Sequence, residues 1–369
     1  MAAGSTTSLA SRPLPPRHPP YPTSPPGEHL TKKQRREAIH EWRNGGVTGS
    51  ESCTNKNKLK LILLNGIELL VDGKLLRQFT GVVFDWDEAN KRGKILTTSS
   101  VVCDFNGELH EPTLKLSVRL PNKTITEGQL LFFNVNYGFA LLEVIGDIQL
   151  QVPSYASSTN YGQDVFALAR DENMSLMVRH GTISWLDYPV LFNYSMFVSC
   201  GIPEGGSGGL VSDHDGNIIG IAFDIHLGSV VTSISTIRTC IEMWHKFSRV
   251  GRPIAGMQLK AVELLDVSTQ EELCLDYNIT GGFIVNQVYE DSTAERLGIR
   301  RGDVIVFQDN SCSTVPQLEE YLLSLGWVYL QGISLTADLK VEVHNLVDSY
   351  KECITFPVQF SDSSKRVYG

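Results

Sequence analysis

The chain has 369 residues, 42% hydrophobic and 20% charged, which is enough apolar material for two or three buried cores and excludes wholesale disorder. Thirty-two Lys and Arg against 41 Asp and Glu leave a net charge of −9, so neither nucleic acid nor an anionic membrane is expected as a partner. The longest mostly apolar stretch, from Leu59 to Val71, is broken by Lys60, Asn65, Gly66 and Glu68 and does not read as a membrane span.

Residues 1–57 read as a Pro-rich disordered tail and a short basic helix. Eight of the fourteen residues from Pro13 to Pro26 are Pro, a composition that favours extended chain over a packed face. Thr31 suits the N-cap of a helix running to Arg43, stopped by Gly45-Gly46. Its Lys32, Lys33, Arg35 and Arg36 fit a nuclear-import patch or a solvated face equally well. The acid-free, Ser/Thr/Ala-rich start also suits a plastid or mitochondrial transit peptide. Seven scattered cysteines without a C-x-x-C pair point to free thiols in a reducing compartment. The expectation is an intracellular protein of the cytoplasm or nucleus, with plastid or mitochondrion as the alternative. No metal or other cofactor is expected.

Residues 58–250 carry short β-branched and aromatic runs broken by Gly, Asn and Asp. Examples fall at 59–64, 80–84, 94–98, 130–135, 140–144, 165–169, 181–185, 217–223 and 228–234. Strands this short and regular predict a mainly β fold, an antiparallel barrel or sandwich, and the length is enough for two six-stranded barrels. A closing helix follows over 235–247, with Ile237, Ile241 and Trp244 on one face. Residues 251–359 read as a second, α+β module. They hold a buried strand at Phe283 to Val285, a capping box from Ser292 to Glu295, and a helix over 316–325 with Leu318, Tyr321, Leu322 and Leu325 on its apolar face. Five strands and two helices in a partly open barrel account for that order, and residues 360–369 form a tail.

The most informative stretch is Gly205-Gly-Ser-Gly-Gly209, followed by an apolar strand, the Asp215-Gly216 turn and a second apolar strand. A serine nucleophile needs a tight turn that aims its own N–H, and that of the residue two before it, at one spot. Ser207 would be the nucleophile, and the N–H groups of Gly205 and Ser207 an oxyanion hole.

Here the chain resembles the HtrA/Deg (protease Do-like) family of trypsin-type serine proteases that carry a PDZ domain. Thr80-Gly-Val-Val-Phe84, Val165-Phe-Ala-Leu-Ala169 and Gly181-Thr-Ile-Ser184 add to the likeness. The resemblance implies a chymotrypsin-like double β-barrel followed by a PDZ domain. The family strand "I-L-T-x-x-H-V-V" supplies the general base, but here it reads Ile95-Leu-Thr-Thr-Ser-Ser-Val-Val102, with Ser100 in the histidine's place. The family's "D-x-A-L-L" supplies the orienting aspartate and matches Gly138-Phe-Ala-Leu-Leu142, with Gly138 in its place. Two of three triad positions are thus degenerate, which implies a pseudoprotease. The alternative is a weak endopeptidase with another base, for which His110, His180, His226 and Lys94 are the residues to consider. The family's carboxylate-binding loop matches Ile254, Ala255, Gly256 and Met257. That implies an adaptor or regulatory subunit binding protein or peptide C-termini and exposed apolar segments, in a homo- or hetero-trimer with family members.

Overall fold

The computed structural model describes residues 64–362, apart from 72–73, 105, 111–114, 147–151, 157–158, 185–193, 226–227 and 309–311. The expected tail and basic helix before residue 58, and the start of the strand expected at 59–64, lie outside the described residues.

Six strands close the first barrel: β1 (Leu64–Val71), β2 (Lys74–Asp87), β3 (Arg92–Thr98), β4 (Lys115–Arg119), β5 (Ile125–Asn134) and β6 (Phe139–Ile145), in the order β1-β2-β3-β6-β5-β4. The period-2 rule explains even the short, polar β4: Leu116 and Val118 point inward between Lys115, Ser117 and Arg119. Six more strands close the second barrel: β7 (Asp164–Arg170), β8 (Leu176–Ser184), β9 (Met196–Val198), β10 (Gly209–Ser212), β11 (Ile218–Ile225) and β12 (Gly228–Ser233), in the order β10-β11-β12-β9-β8-β7. Closure leaves neither barrel an open edge.

The barrels share a core. Leu96, Phe139 and Leu141 of the first meet Leu168, Leu210 and Ile221 of the second. Helix α1 (Ile234–Phe247) covers it, capped by Ser233, whose hydroxyl accepts from the Ser235 N–H. Ile237, Cys240 and Ile241 are buried, and Trp244 stacks on Phe132 with ring centroids 4.9 Å apart.

The remaining residues form a six-stranded sheet, β13 (Arg252–Ile254), β18 (Tyr350–Ser361), β17 (Thr336–Asn345), β16 (Val304–Phe307), β15 (Phe283–Val288) and β14 (Met257–Ala261), in that spatial order. Three helices accompany it: α2 (Val267–Tyr277), α3 (Thr293–Arg296) and α4 (Val315–Leu330). Among the described residues this is one strand and one helix more than expected. The hairpin β17–β18 was not located from the sequence, although Leu339, Val341 and Val343 alternate inward between Asp338, Lys340, Glu342 and His344. Helix α2 buries only Leu273, so periodicity hides it, and it rests on its Asp266 cap and the left-handed Asn278 that ends it.

Helix α4 opens with a reciprocal capping box between Thr314 and Gln317. It serves two cores at once. Leu318 and Leu322 enter the core under the six-stranded sheet, while Leu323 and Leu330 enter the core shared by the barrels. Polar contacts reinforce the seat: the Tyr137 hydroxyl donates to Glu319 Oε1 (2.6 Å), the Ser233 hydroxyl to Glu320 Oε1 (2.5 Å) and the Arg252 guanidinium to Asn136 Oδ1 (3.1 Å). Gly326 crosses Gly251 so closely that a Cβ on Gly326 would lie 2.3 Å from the Gly251 carbonyl oxygen.

Candidate active site

The loop between β9 and β10 presents Ser207, and the chain on both sides is fixed by contacts that admit no side chain. Gly208 has φ +89°, and a Cβ there would stand 2.1 Å from the Thr80 carbonyl oxygen and 2.5 Å from Thr97 Oγ1. That close approach is why a glycine must follow the serine. Thr80, fully buried, ties the loop to the first barrel: its N–H donates to the Ser207 carbonyl (2.9 Å) and its hydroxyl faces the Gly205 carbonyl (3.4 Å). The Ser207 hydroxyl is half-buried and accepts from the Asp224 N–H at 3.2 Å. Among the described residues no histidine or carboxylate hydrogen-bonds Ser207 Oγ, and no hydrogen bond consumes the N–H of Gly205 or Ser207. The Asp224 carboxylate is turned to the Ser229 hydroxyl (3.2 Å).

The positions matching the family's base and orienter lie nearby. Ser100 sits in a single 3-10 turn, Ser99–Val101, at the end of β3, exposed, with its N–H and hydroxyl both near Thr98 Oγ1 (3.4 Å each). The Ser99 N–H donates to the Gly138 carbonyl (2.9 Å), which joins the two positions. Gly138 is buried with φ +71°, and a Cβ there would lie 3.0 Å from the tip of the Phe223 ring. The space into which an aspartate would project is therefore held by an aromatic side chain from β11. Sequence reasoning passed over Phe223 because an apolar residue in an apolar strand carries no signal of its own.

The alternative bases differ in their surroundings. The His110 Nε2 lies 3.2 Å from the Ser100 carbonyl oxygen, so its N–H can donate there and leave Nδ1 as the basic nitrogen. His180 faces Asp164 (3.4 Å) on the outside of the second barrel, and the Lys94 ammonium pairs with Asp85 (2.7 Å). His226 lies outside the described residues.

In the six-stranded sheet, Ile254 ends β13, Met257 opens β14, and Ala255 and Gly256 form the turn between them. The close neighbour of Gly256 (φ +71°) is Ser292, the cap of α3: a Cβ on Gly256 would lie 2.5 Å from Ser292 Cβ. The Gly256 carbonyl accepts from the Tyr289 N–H (3.0 Å). Strand β14 pairs with β15 alone and forms one edge of the sheet.

Beside Gly138 the electrostatics are those of a closed joint. Burial pushes the Glu319 carboxyl above its ordinary value of 4.5, while the Tyr137 hydroxyl and Arg252 pull it down. Burial raises Glu320 likewise, opposed by Ser233 and Ser235. The Tyr137 hydroxyl is driven well above its ordinary 10.0 by burial and then by the Glu319 charge. No disulfide joins the six described cysteines.

Residues 79–221 match the model of the trypsin-like peptidase domain. The chain is 26% identical over 244 residues to a homologue in Arabidopsis thaliana, protease Do-like 14, a match covering 62% of this chain and 55% of that protein. It is 25% identical over 248 residues to the serine protease Do-like HtrB of Bacillus subtilis, covering 62% and 52%. Over 115 residues it is 30% identical to a serine protease HtrA-like protein of Staphylococcus epidermidis, covering 29% and 20%. The chain thus spans about half the length, or less, of these curated relatives. In fold it is similar to the HtrA-type protease AlgW solved with a decapeptide, with a TM-score of 0.51 at 18% identity, covering 84% of this chain and 99% of that one.

Proposed function

We propose that this chain, which carries a trypsin-like peptidase domain and is a homologue of the Do-like/HtrA proteases, binds peptides and does not cleave them. The single observation that carries the reading is the Phe223 ring against Gly138, with serine in place of the base at position 100. A serine hydroxyl without an adjacent base is a poor nucleophile at neutral pH. Losing the base of such a triad costs about six orders of magnitude in turnover, roughly 8 kcal/mol of barrier. The Ser207 hydroxyl, moreover, already accepts a hydrogen bond from Asp224. The experiment is fluorophosphonate labelling and casein cleavage with the wild type and Ser207→Ala. Equal, background signals are expected from both, and labelling or cleavage lost in the variant would overturn the reading.

A second reading, a weak endopeptidase, has one observation in its favour: His110 is the histidine held against the Ser100 backbone. It requires that labelling of Ser207 be lost in His110→Ala.

Peptide binding belongs to the PDZ-like module at 251–359. Strand β14 is a sheet edge, where an extended peptide can add as a further strand and leave its carboxylate near the turn at Ala255 and Gly256. A protein of similar fold was solved with a decapeptide. The full chain should therefore bind a peptide with a free, apolar C-terminus, and amidating that terminus should weaken binding because a carboxylate strengthens each hydrogen bond it accepts. Equal affinity for the two peptides, measured by fluorescence anisotropy, would remove this surface from consideration.

A further inference from the structure

Far from Ser207 in function, the outer face of the second barrel gathers three ligand-bearing side chains that neither proteolysis nor peptide binding uses. We propose that Asp164, His180 and His214 form a binding site for a divalent transition-metal ion, zinc by the chemistry of its donors.

The convergence follows from strand order. Strands β8, β7 and β10 are neighbours in the closed barrel, and Phe166 of β7 pairs in register with His180 on one side and Ser212 on the other. Asp164 lies two residues from Phe166, hence on the same face, the outer one, since Val165 and Ala167 point into the core. His214 lies two residues past Ser212, in the Asp213 to Gly216 turn that leads into β11.

One ligand atom from each of the three side chains lies within 4.8 Å of the other two. His180 Nε2 and Asp164 Oδ1 are 3.4 Å apart, close to the separation of about 3.3 Å between two ligands on one tetrahedral zinc. Bringing in His214 takes a shift on the order of an ångström, within reach of an exposed side chain. The Phe166 ring packs against both imidazoles, at 5.4 Å from His180 and 5.2 Å from His214. That packing restricts the rotamers before a metal arrives, so less ordering is left for the binding step. Two imidazoles with one carboxylate suit zinc, cobalt or nickel rather than calcium or magnesium, which prefer oxygen donors alone. The fourth position faces solvent and would take a water. A metal here would staple β7 and β8 to the turn that follows the Ser207 loop and β10.

The test is calorimetric titration of the full chain with zinc, paired with cobalt absorption. One equivalent should bind, and cobalt should give the spectrum of a nitrogen- and oxygen-ligated ion without thiolate charge transfer. His180→Ala and His214→Ala should each weaken binding roughly tenfold or more. Cys274→Ser with Cys353→Ser, both positions exposed, should leave it unchanged. Zinc should raise the melting temperature of the wild type and not that of the double histidine variant. No zinc uptake by the wild type, or undiminished uptake by the double histidine variant, would overturn the site.

Discussion

A carboxylate at residue 138 would have to share its place with the Phe223 ring and adopt a φ of +71° that favours glycine. Restoring the family's residues at Ser100 and Gly138 alone therefore adds strain before it adds chemistry, on the order of 1–3 kcal/mol. Ser100→His with Gly138→Asp is expected to melt lower than the wild type and to remain unlabelled by a fluorophosphonate. Adding Phe223→Ala should clear the space and bring measurable labelling of Ser207. Labelling by the double variant, with no further gain from Phe223→Ala, would show that the ring is no obstacle. At this scale the sequence made Ser100 and Gly138 legible as the positions that match the family's base and orienter, because a motif fixes which residue stands where. It hid Phe223, the Asp224 N–H on Ser207 and the place of Ser292 at Gly256, because each depends on contacts between strands and turns distant in the chain.

Helix α4 is the element where local signals and long-range packing meet. Its start is written locally, in Thr314 and Gln317, and its Leu318/Leu322 stripe was readable at a spacing of four. Its length to Leu330 was not, because Leu323 and Leu330 are called inward by the barrels' core rather than by their own sheet's. The partly buried Glu319, in the helix's second turn, has a pH signature. With its folded-state value raised, Glu319 holds its proton to higher pH in the folded chain than in the unfolded one. Across the window from the ordinary 4.5 upward to the raised value, the folded state binds more protons, so stability falls as pH rises. Glu319→Gln removes that titration and keeps an amide oxygen for the Tyr137 hydroxyl. Urea unfolding at pH 5 and pH 8 should show the variant gaining on the wild type at the higher pH. Tyr137→Phe should instead lose about 1–3 kcal/mol, because Glu319 then stays withdrawn from water without its donor.

At the scale of the molecule, mainly β architecture was legible from strand length and spacing, which fitted a barrel or a sandwich alike, and the double barrel followed from the family resemblance. The relation of the barrels to residues 251–359 was not legible. A boundary at 250/251 suggests beads on a thread, but Val250 is buried and the Arg252 guanidinium reaches Asn136 of the first barrel. Two leucines of α4 complete the barrels' core, and burying such a side chain is worth roughly 1.5–3 kcal/mol. The described residues should accordingly unfold in one cooperative transition. A chain ending at residue 250 should melt lower and expose a patch that binds a hydrophobic dye. Two separate transitions in the full chain, with the first barrel's melting point unmoved by truncation, would contradict this.

The crossing of Gly326 and Gly251 has a mechanical consequence. With not even a methyl's clearance, α4 can neither roll nor slide over Gly251 unless the two backbones part. A peptide strand laid along β14 would then push through α4 as load on a stiff strut and could bend what it touches without opening it. Tyr137, the residue before Gly138, stands at the far end of that strut.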